Sequence, residues 1–267
     1  MIVHAIGDSA AMAGRNLRRL ARQPDLVMFT LLSPIMFTLL FRYVFGGAVS
    51  GLGSLHYVDY LVPGIAVQTA IFTAGTTGFG LAEDRAAGFV DRLRSLPMAR
   101  SAVLIGRIAA DALSNVAGLL IIVLVGLAVG FRPHDAVGLV LGLVLLLAFT
   151  VALSTIFAIV GLSVGSTQAV NAATFPVVFP LTFASSAFVP TSTMPGWLQA
   201  FANHQPVTIV INALRDLTLG TVGPQERHVL FAGQSTTSLV LQSVAWTLGI
   251  GLVFGTVAIR RFSSTAR

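Results

Sequence analysis

Six long apolar stretches are the feature that most restricts what this chain can fold into. A helix needs roughly 20 apolar residues to cross the hydrocarbon core of a bilayer. Each stretch is at least that long: 26–45, 57–82, 101–130, 136–164, 168–189 and 236–259. Only 10% of the 267 residues are charged, and the mean hydropathy is +0.87. We therefore predict an all-α integral membrane protein, folded as one domain of six transmembrane helices.

The arginines predict how these spans are oriented. All sixteen basic residues are arginine, because the chain contains no lysine. With the amino terminus inside, twelve of them fall in the inner segments: Arg15, Arg18, Arg19, Arg22, Arg85, Arg92, Arg94, Arg100, Arg107, Arg260, Arg261 and Arg267. Positive residues accumulate on the cytoplasmic side of membrane proteins. We expect a multi-pass protein of a bacterial plasma membrane, with both termini in the cytoplasm.

Residues 8–23, ahead of the first span, are predicted to form an interfacial helix. Arg15, Arg18, Arg19 and Arg22 recur at helical spacing within this segment. A basic amphipathic helix lies on an anionic membrane surface with its arginines among the headgroups. Membrane lipid is therefore an expected partner, and a solvated basic tail is the alternative interpretation.

A short charged segment separates the second and third spans. Glu83–Pro97 holds three of the ten acidic residues and three of the arginines. As a helix it would place Phe89, Leu93 and Leu96 on one stripe and its charges elsewhere on the surface. This pattern predicts a docking element on the cytoplasmic side. A solvated connector that only joins two spans is the alternative.

The segment between the fifth and sixth spans, residues 191–220, is interrupted by prolines. Pro195 and Pro206 divide it into pieces that are too short to cross a bilayer. We predict outer re-entrant half-helices, which a membrane accepts only where their ends are buried in protein or face water. Residues 221–235 are expected to form a polar outer loop.

The sequence contains no recognisable catalytic or metal-binding pattern. Cysteine is absent, and the five histidines are scattered without a pair at ligand spacing. Arg107 and Asp111 lie one turn apart in the third span, and we interpret them as a self-neutralising pair rather than a substrate contact. We expect no metal or cofactor in this chain and no nucleic-acid partner. A membrane-embedded enzyme or assembly scaffold has correspondingly little support.

Nucleotide-driven transport by this chain would require a second polypeptide. A Walker-type phosphate loop needs a lysine, and the chain has none. We therefore expect the chain not to be an enzyme itself, and ATP and magnesium to bind in a partner ATPase that contacts residues 83–100. The alternative is a carrier driven by an ion gradient, which would need an essential acid within a span, such as Asp59 or Asp111.

Two windows carry a family resemblance. The first reads Glu-Asp-Arg at 83–85, glycine at 88 and Asp-Arg-Leu-Arg-Ser-Leu-Pro at 91–97. The second reads Phe-Ala-Ser-Ser-Ala-Phe-Val-Pro at 183–190, Met-Pro-Gly-Trp-Leu at 194–198, His-Gln-Pro-Val at 204–207 and Ala-Leu-Arg at 213–215. In this order, within a six-span layout, they closely resemble the membrane subunits of type-2 ABC exporters, in the branch of the daunorubicin-resistance permeases.

The resemblance implies partners and two functional regions. It implies a complex of two six-span permeases, identical or paralogous, with two copies of a cytosolic ABC ATPase. The segment 83–100 would be the coupling helix, with these ATPase-coupling residues: Glu83, Asp84, Arg85, Gly88, Phe89, Asp91, Arg92, Leu93, Arg94, Leu96 and Pro97. The half-helices would form an outer gate with Pro190, Pro195, Trp197, Pro206 and Arg215.

The resemblance also implies that the first, second and fifth spans line the path between the two permeases. We expect the lining to include Phe37, Phe41, Gln68, Asn171, Phe175 and Phe179. Phenylalanine and small polar groups favour a hydrophobic or amphipathic cargo (a drug, an antibiotic or a lipid) moved by alternating access or lateral gating. A polysaccharide-type ABC exporter is the alternative, although two tryptophans and three tyrosines are few for such a protein.

Overall fold

The structure, a computed structural model, describes residues 13–14, 24–47, 55–88, 100–164, 166–220 and 223–265. In chain order the helices are α1 (Pro24–Leu40), α2 (Tyr57–Ala86), α3 (Arg100–Ala128), α4 (Ala136–Ser163), α5 (Thr167–Phe183), α6 (Gly196–His204), α7 (Pro206–Leu219), α8 (Pro224–Phe231) and α9 (Thr236–Thr265). A π-helical turn, Phe41–Phe45, continues α1, and a 3-10 turn, Thr191–Thr193, precedes α6. These ranges contain no strand, so the all-α class is confirmed. The interfacial helix predicted over 8–23 lies outside the described residues, apart from 13–14.

Four of the described segments are long and apolar enough to cross a membrane: Tyr57–Ala86, Leu104–Ala128, Ala136–Ser163 and Pro224–Phe262. They lie in α2, α3, α4 and the α8–α9 stretch. Helix α1 and its π-helical turn together run from residue 24 to residue 45, close to the predicted first span. Helix α5 ends at Phe183 rather than near residue 189. The helix stops there because residues 184–188 form turns, in which the Ser185 hydroxyl donates to the Thr182 carbonyl at 2.5 Å.

Helix α2 occupies the centre of the bundle. It contacts α1, α3, α4, α5 and α7, and every residue from Tyr57 to Ile71 is buried. Its amino-terminal half is therefore enclosed on all sides, whereas its carboxyl-terminal half carries three glycines that leave space for neighbours. We name the two ends of the bundle by the orientation that the sequence predicts: outer for the end of α2 at Tyr57 and inner for the end at Ala86.

Glycines set the closest helix contacts. A Cβ atom at Gly161 of α4 would overlap the backbone of Gly78 in α2, and one at Gly78 would lie 2.7 Å from the Phe157 carbonyl oxygen. Small residues allow helix backbones to approach in this way. Gly138 of α4 lies in the same way against the Leu217 backbone of α7, and Gly142 lies against the Leu214 side chain.

The glycine pair of α9 behaves differently. Cβ atoms at Gly251 and Gly255 would lie 3.7 and 3.8 Å from Ala152 and Thr155, which is ordinary van der Waals contact. Two glycines at the same spacing therefore pack tightly in α4 but not in α9.

The predicted polar loop over 221–235 contains a helix, α8, and that part of the prediction is wrong. Pro224 stands at the first helical position, and the Glu226 carboxylate accepts a hydrogen bond from the Gly223 amide at 3.2 Å. Both are signals for the start of a helix. Arg227 then pairs with Asp216 of α7 at 2.9 Å, which attaches α8 to the bundle.

Candidate functional site

The inner end of α2 carries the first part of the predicted coupling segment. Glu83 and Arg85 are exposed, and the Arg85 guanidinium donates to the Leu162 carbonyl of α4 at 2.7 Å. The Gly88 amide donates to the Arg85 carbonyl, and Gly88 has φ of +66°, a conformation that favours glycine. The glycine of the motif is therefore explained by the way α2 ends. The other predicted coupling residues lie outside the described residues: Phe89, Asp91, Arg92, Leu93, Arg94, Leu96 and Pro97.

Asp84 turns away from the surface. It is 7% exposed, and its carboxylate oxygen Oδ2 lies 3.9 Å from Nη1 of Arg107 in α3. Nε of Arg107 donates to the Asp111 carboxylate at 3.1 Å, and Nη2 donates to the Thr76 carbonyl at 3.2 Å. The Thr77 hydroxyl completes the group by donating to Asp111 at 2.6 Å. We call Thr77, Asp84, Arg107 and Asp111 the inner cluster.

A glycine makes room for the inner cluster. A Cβ atom at Gly80 would overlap the guanidinium group of Arg107, so Arg107 reaches the acids only because position 80 has no side chain. The predicted Arg107–Asp111 pair is present in the structure. Sequence spacing missed Thr77 and Asp84 as its partners, since both belong to another helix. Gly80 was the available signal, because a glycine leaves space for a large side chain such as Arg107 from a neighbouring helix.

The outer end of α2 is held by a second arginine. Arg215 of α7 is fully buried, and its Nε and Nη2 atoms donate to the Tyr60 carbonyl at 3.1 and 2.9 Å. Nη2 also donates to the Ser186 carbonyl at 2.9 Å, and Nη1 donates to the Asn212 amide oxygen at 3.0 Å. The guanidinium carbon lies 3.6 Å from the centre of the Tyr60 ring. These four residues form the outer cluster.

The outer cluster fixes the turn that follows α5. The Tyr60 hydroxyl donates to the Ser186 carbonyl at 2.7 Å, and the Ser186 hydroxyl donates to Asn212 at 2.8 Å. Nearby, the Tyr57 hydroxyl donates to the Phe188 carbonyl at 3.0 Å. The turn over 184–188 is therefore tied to α2 and α7 by its own carbonyl groups. Arg215, predicted as a gate residue, lies in the interior of the protomer at this point.

The other predicted gate residues occupy different environments. Pro190 is buried and precedes the 3-10 turn, whereas Pro195 is exposed and precedes α6. Trp197 of α6 is 75% exposed. Pro206 stands at the first position of α7, where its missing amide hydrogen costs no helical hydrogen bond. The two proline-bounded pieces of the sequence thus form two separate short helices.

A row of stacked phenylalanines joins α5 to α1. The centroid distances are 5.2 Å from Phe175 to Phe179, 4.2 Å from Phe179 to Phe183 and 5.1 Å from Phe183 to Phe188. The row continues over 4.3 Å from Phe188 to Phe41, with Phe45 and Phe37 stacked 5.0 and 6.1 Å from Phe41. We call these seven residues the phenylalanine row. Its α5 members are exposed by 36 to 52%.

The predicted path residues divide between this row and the interior. Phe37, Phe41, Phe175 and Phe179 belong to the phenylalanine row, and exposed Asn171 lies one turn before Phe175 on α5. Gln68 is instead 4% exposed within the bundle, where its Nε2 atom has no hydrogen-bond partner. The spacing of Asn171, Phe175, Phe179 and Phe183 was visible in the sequence. Their link to α1 through Phe188 was not.

Among the described residues, no three histidine, cysteine or acidic side chains are grouped so that they could hold a metal ion. What the described residues do bring together is a bundle of apolar helices with buried arginine clusters at both ends of α2. Long apolar helices of this kind are typical of an integral membrane protein.

The chain belongs to the ABC-2 type transporter family, which it matches over residues 9–219. It is therefore the transmembrane subunit of an ABC transporter, and the family implies a partner ATPase. The predicted family and membrane location are confirmed.

Named relatives agree with this assignment. The chain is 36% identical to the daunorubicin resistance ABC transporter permease protein DrrB1 of Streptomyces coeruleorubidus, over 72% of this chain and 68% of the relative. It is 29% identical to the probable doxorubicin resistance ABC transporter permease protein DrrC of Mycobacterium tuberculosis, over 93% and 85% of the two chains. A putative transport permease of Cyanophora paradoxa is 26% identical over 74% and 70%.

Proposed function

We propose that this chain is the six-span permease of an ATP-driven exporter that moves a hydrophobic or amphipathic drug out of the cell. The observation that carries the proposal is the family match over residues 9–219, together with two similar permeases named for daunorubicin and doxorubicin resistance. The absence of lysine supports a separate ATPase, because a Walker-type loop needs that residue. ATP and magnesium would bind in that subunit.

The orientation we propose has both termini and residues 83–100 in the cytoplasm. It is supported by the twelve arginines on that side and by Arg260 and Arg261, which are exposed near the end of α9. Because the chain has no cysteine, single cysteines at Ala87 and Ser235 test it directly. In intact cells a membrane-impermeant maleimide should label the Ser235 variant only. Labelling of the Ala87 variant alone would show that the protein has the opposite orientation.

The cargo path we propose runs along the phenylalanine row, where a second permease of the same type faces this one. The support is the exposure of Phe175 and Phe179 on a helix face that the described residues leave uncovered, with Asn171 adding a polar group. Aromatic faces bind flat or apolar compounds by stacking and burial. Gln68 is buried within the bundle and is left out of the proposed lining.

The outer gate we propose is the short-helix region α6–α7 with Pro190, Pro195, Trp197 and Pro206. Arg215 supports it from inside, since the outer cluster ties α7 and the turn over 184–188 to α2. We propose that the two short helices re-enter the outer leaflet. Helix α7 is largely buried in the bundle, whereas Gly196 and His204 at the two ends of α6 are exposed, so the ends of α6 would have to face water or a partner protein.

The ATPase association is tested by copurification. The permease carrying an affinity tag is expressed with a candidate ABC ATPase subunit from the same organism, solubilised in mild detergent and purified. We expect the ATPase in a one-to-one ratio with the permease and hydrolysis that responds to doxorubicin. A permease that exports doxorubicin from proteoliposomes under a proton or sodium gradient without ATPase would instead establish an ion-driven carrier.

A further inference from the structure

The inner cluster joins the two helices that enter and leave the coupling segment. We propose that Asp84 and Arg107 are positioning residues that transmit movement of this segment into the helix bundle, and that Asp84 acts inward through Arg107 rather than as an ATPase contact. The inference rests on the proposed function, since it concerns how ATP hydrolysis in a partner is coupled to export.

The position of the pair along the chain gives the first argument. Helix α2 ends at Ala86 and α3 begins at Arg100, so these two helices flank the coupling segment in the chain. Asp84 lies in the last turn of α2, and Arg107 lies two turns into α3. The contact between them joins the two helices that flank the segment. Any tilt of the segment that moves one helix end relative to the other must change this contact.

The distances give the second argument. Arg107 is fixed to α3 by Asp111 at 3.1 Å and to the backbone of α2 by the Thr76 carbonyl at 3.2 Å. The contact with Asp84, at 3.9 Å, is the longest in the inner cluster. It is therefore the contact that yields first, while the anchors of Arg107 stay in place. The guanidinium group fills the space beside Gly80, where any side chain would overlap it.

The charges give the third argument. The inner cluster has two carboxylates and one guanidinium group, all of them largely buried, with side-chain exposures of 9, 13 and 14% for Asp84, Arg107 and Asp111. A buried cation is stable only while it is paired. If Asp84 moves away, Arg107 keeps Asp111, so neither arrangement leaves the cation alone. The inner cluster can thus alternate between two paired arrangements as the coupling segment moves.

The residue after Asp84, Arg85, attaches the last turn of α2 to a different helix. Arg85 donates to the Leu162 carbonyl at the inner end of α4 at 2.7 Å. Asp84 and Arg85 therefore attach the end of α2 to α3 and α4 respectively. A displacement at residue 86 is passed to both neighbours. The Arg107 side chain of α3 meets α2 again at Gly80, and the Phe157 backbone of α4 meets it at Gly78.

The test separates transport from hydrolysis in the complete complex, reconstituted in proteoliposomes with its ATPase and with doxorubicin as the probe. For Asp84→Asn we expect normal ATPase copurification and hydrolysis within about twofold of wild type, but about tenfold less doxorubicin moved per ATP. Asp84→Glu, which restores the carboxylate, should recover at least about half of the wild-type ratio. Asp135→Asn, the same change at the outer cap of α4, should leave the ratio unaltered, because asparagine also caps helices.

A distance measurement provides a readout that does not depend on cargo. Spin labels on single cysteines at exposed Ala86 and Ile105 report the separation of the two helix ends. On vanadate trapping we expect the separation to change by about 2 Å or more in the wild type and not in Asp84→Asn. If Asp84→Asn fails to fold, Arg107→Lys replaces it, since a lysine ammonium group cannot contact Asp84 and Asp111 at the same time as the guanidinium group does.

Three results would overturn the inference. Loss of ATPase copurification in Asp84→Asn would make Asp84 a docking contact. Transport per ATP at the wild-type level in that variant would remove the transmission role. So would a change in spin-label separation in Asp84→Asn as large as that in the wild type. A wild-type complex that binds no ATPase would contradict the proposed function itself, which is a different outcome from any of these.

Discussion

The guanidinium group of Arg215 lies 3.6 Å from the centre of the Tyr60 ring and donates two hydrogen bonds to the carbonyl oxygen of the same residue. One buried cation thus holds both the backbone and the side chain of α2 at its outer end. The Ser186 carbonyl and the Asn212 amide oxygen take the remaining donors. The position of the turn after α5 depends on this arginine.

Arg215→Lys should therefore destabilise the protein although the charge is retained. Lysine is a single point donor and cannot reproduce the planar fork that reaches three partners. We expect the unfolding temperature in detergent, followed by size-exclusion of heated samples, to fall by about 5 °C or more. The control is Arg132→Lys, because Arg132 is exposed. This change should shift the unfolding temperature by little. Equal shifts in both variants would show that the buried fork is dispensable.

The contact between Gly80 and Arg107 predicts that alanine is tolerated less well at position 80 than at an open glycine position. Gly80→Ala would place a methyl group on the guanidinium of Arg107 and should displace it from Asp111, lowering the yield of folded protein and the unfolding temperature. Gly118→Ala is the matched control, because nothing lies within 4 Å of that position in α3. It should be neutral or stabilising by up to about 1 kcal/mol, the helix propensity of alanine over glycine. Tolerance of Gly80→Ala equal to that of Gly118→Ala would contradict the packing described for the inner cluster.

The backbone contact between α2 and α4 predicts a similar contrast. Gly161→Ala inserts a methyl group against the backbone of Gly78, so the two helices must separate. Overpacking of this kind costs typically about 1–3 kcal/mol. Gly251→Ala meets only ordinary contacts at 3.7 Å and should be tolerated. Thermal unfolding of the two variants side by side makes the comparison, and a Gly161→Ala protein as stable as Gly251→Ala would show that this crossing is not tightly packed.

The phenylalanine row predicts a transport defect without a folding defect. Phe179→Ala removes the middle ring of the exposed α5 stretch, and its loss should reduce doxorubicin export about fivefold or more while stability changes little. Val177→Ala, on the other side of α5 and 57% exposed, is the matched control. Efflux of doxorubicin from cells gives the readout. A defect in Val177→Ala as large as in Phe179→Ala would indicate a general role of α5 instead of this surface.

The sequence predicted the helical class, the family and the positions of the main helices because these depend on local apolar runs and short motifs. It also predicted the Arg107–Asp111 pair, whose members lie on one helix. The position of Arg215 in the interior could not be read from spacing, since its partners Tyr60 and Ser186 lie 155 and 29 residues away. For the same reason the inward direction of Asp84 was missed: a charged motif predicts a surface, and only packing shows which of its acids faces the bundle.

Transport in proteoliposomes tests the central claim most directly. The permease and the copurified ATPase are reconstituted together. Uptake of doxorubicin into proteoliposomes whose ATPase faces outward is followed by fluorescence quenching. We predict uptake that requires ATP and magnesium, stops with vanadate and disappears when either the permease or the ATPase is omitted. Uptake that proceeds at the same rate without ATP or without the ATPase would contradict the assignment of this chain as the permease of an ATP-driven exporter.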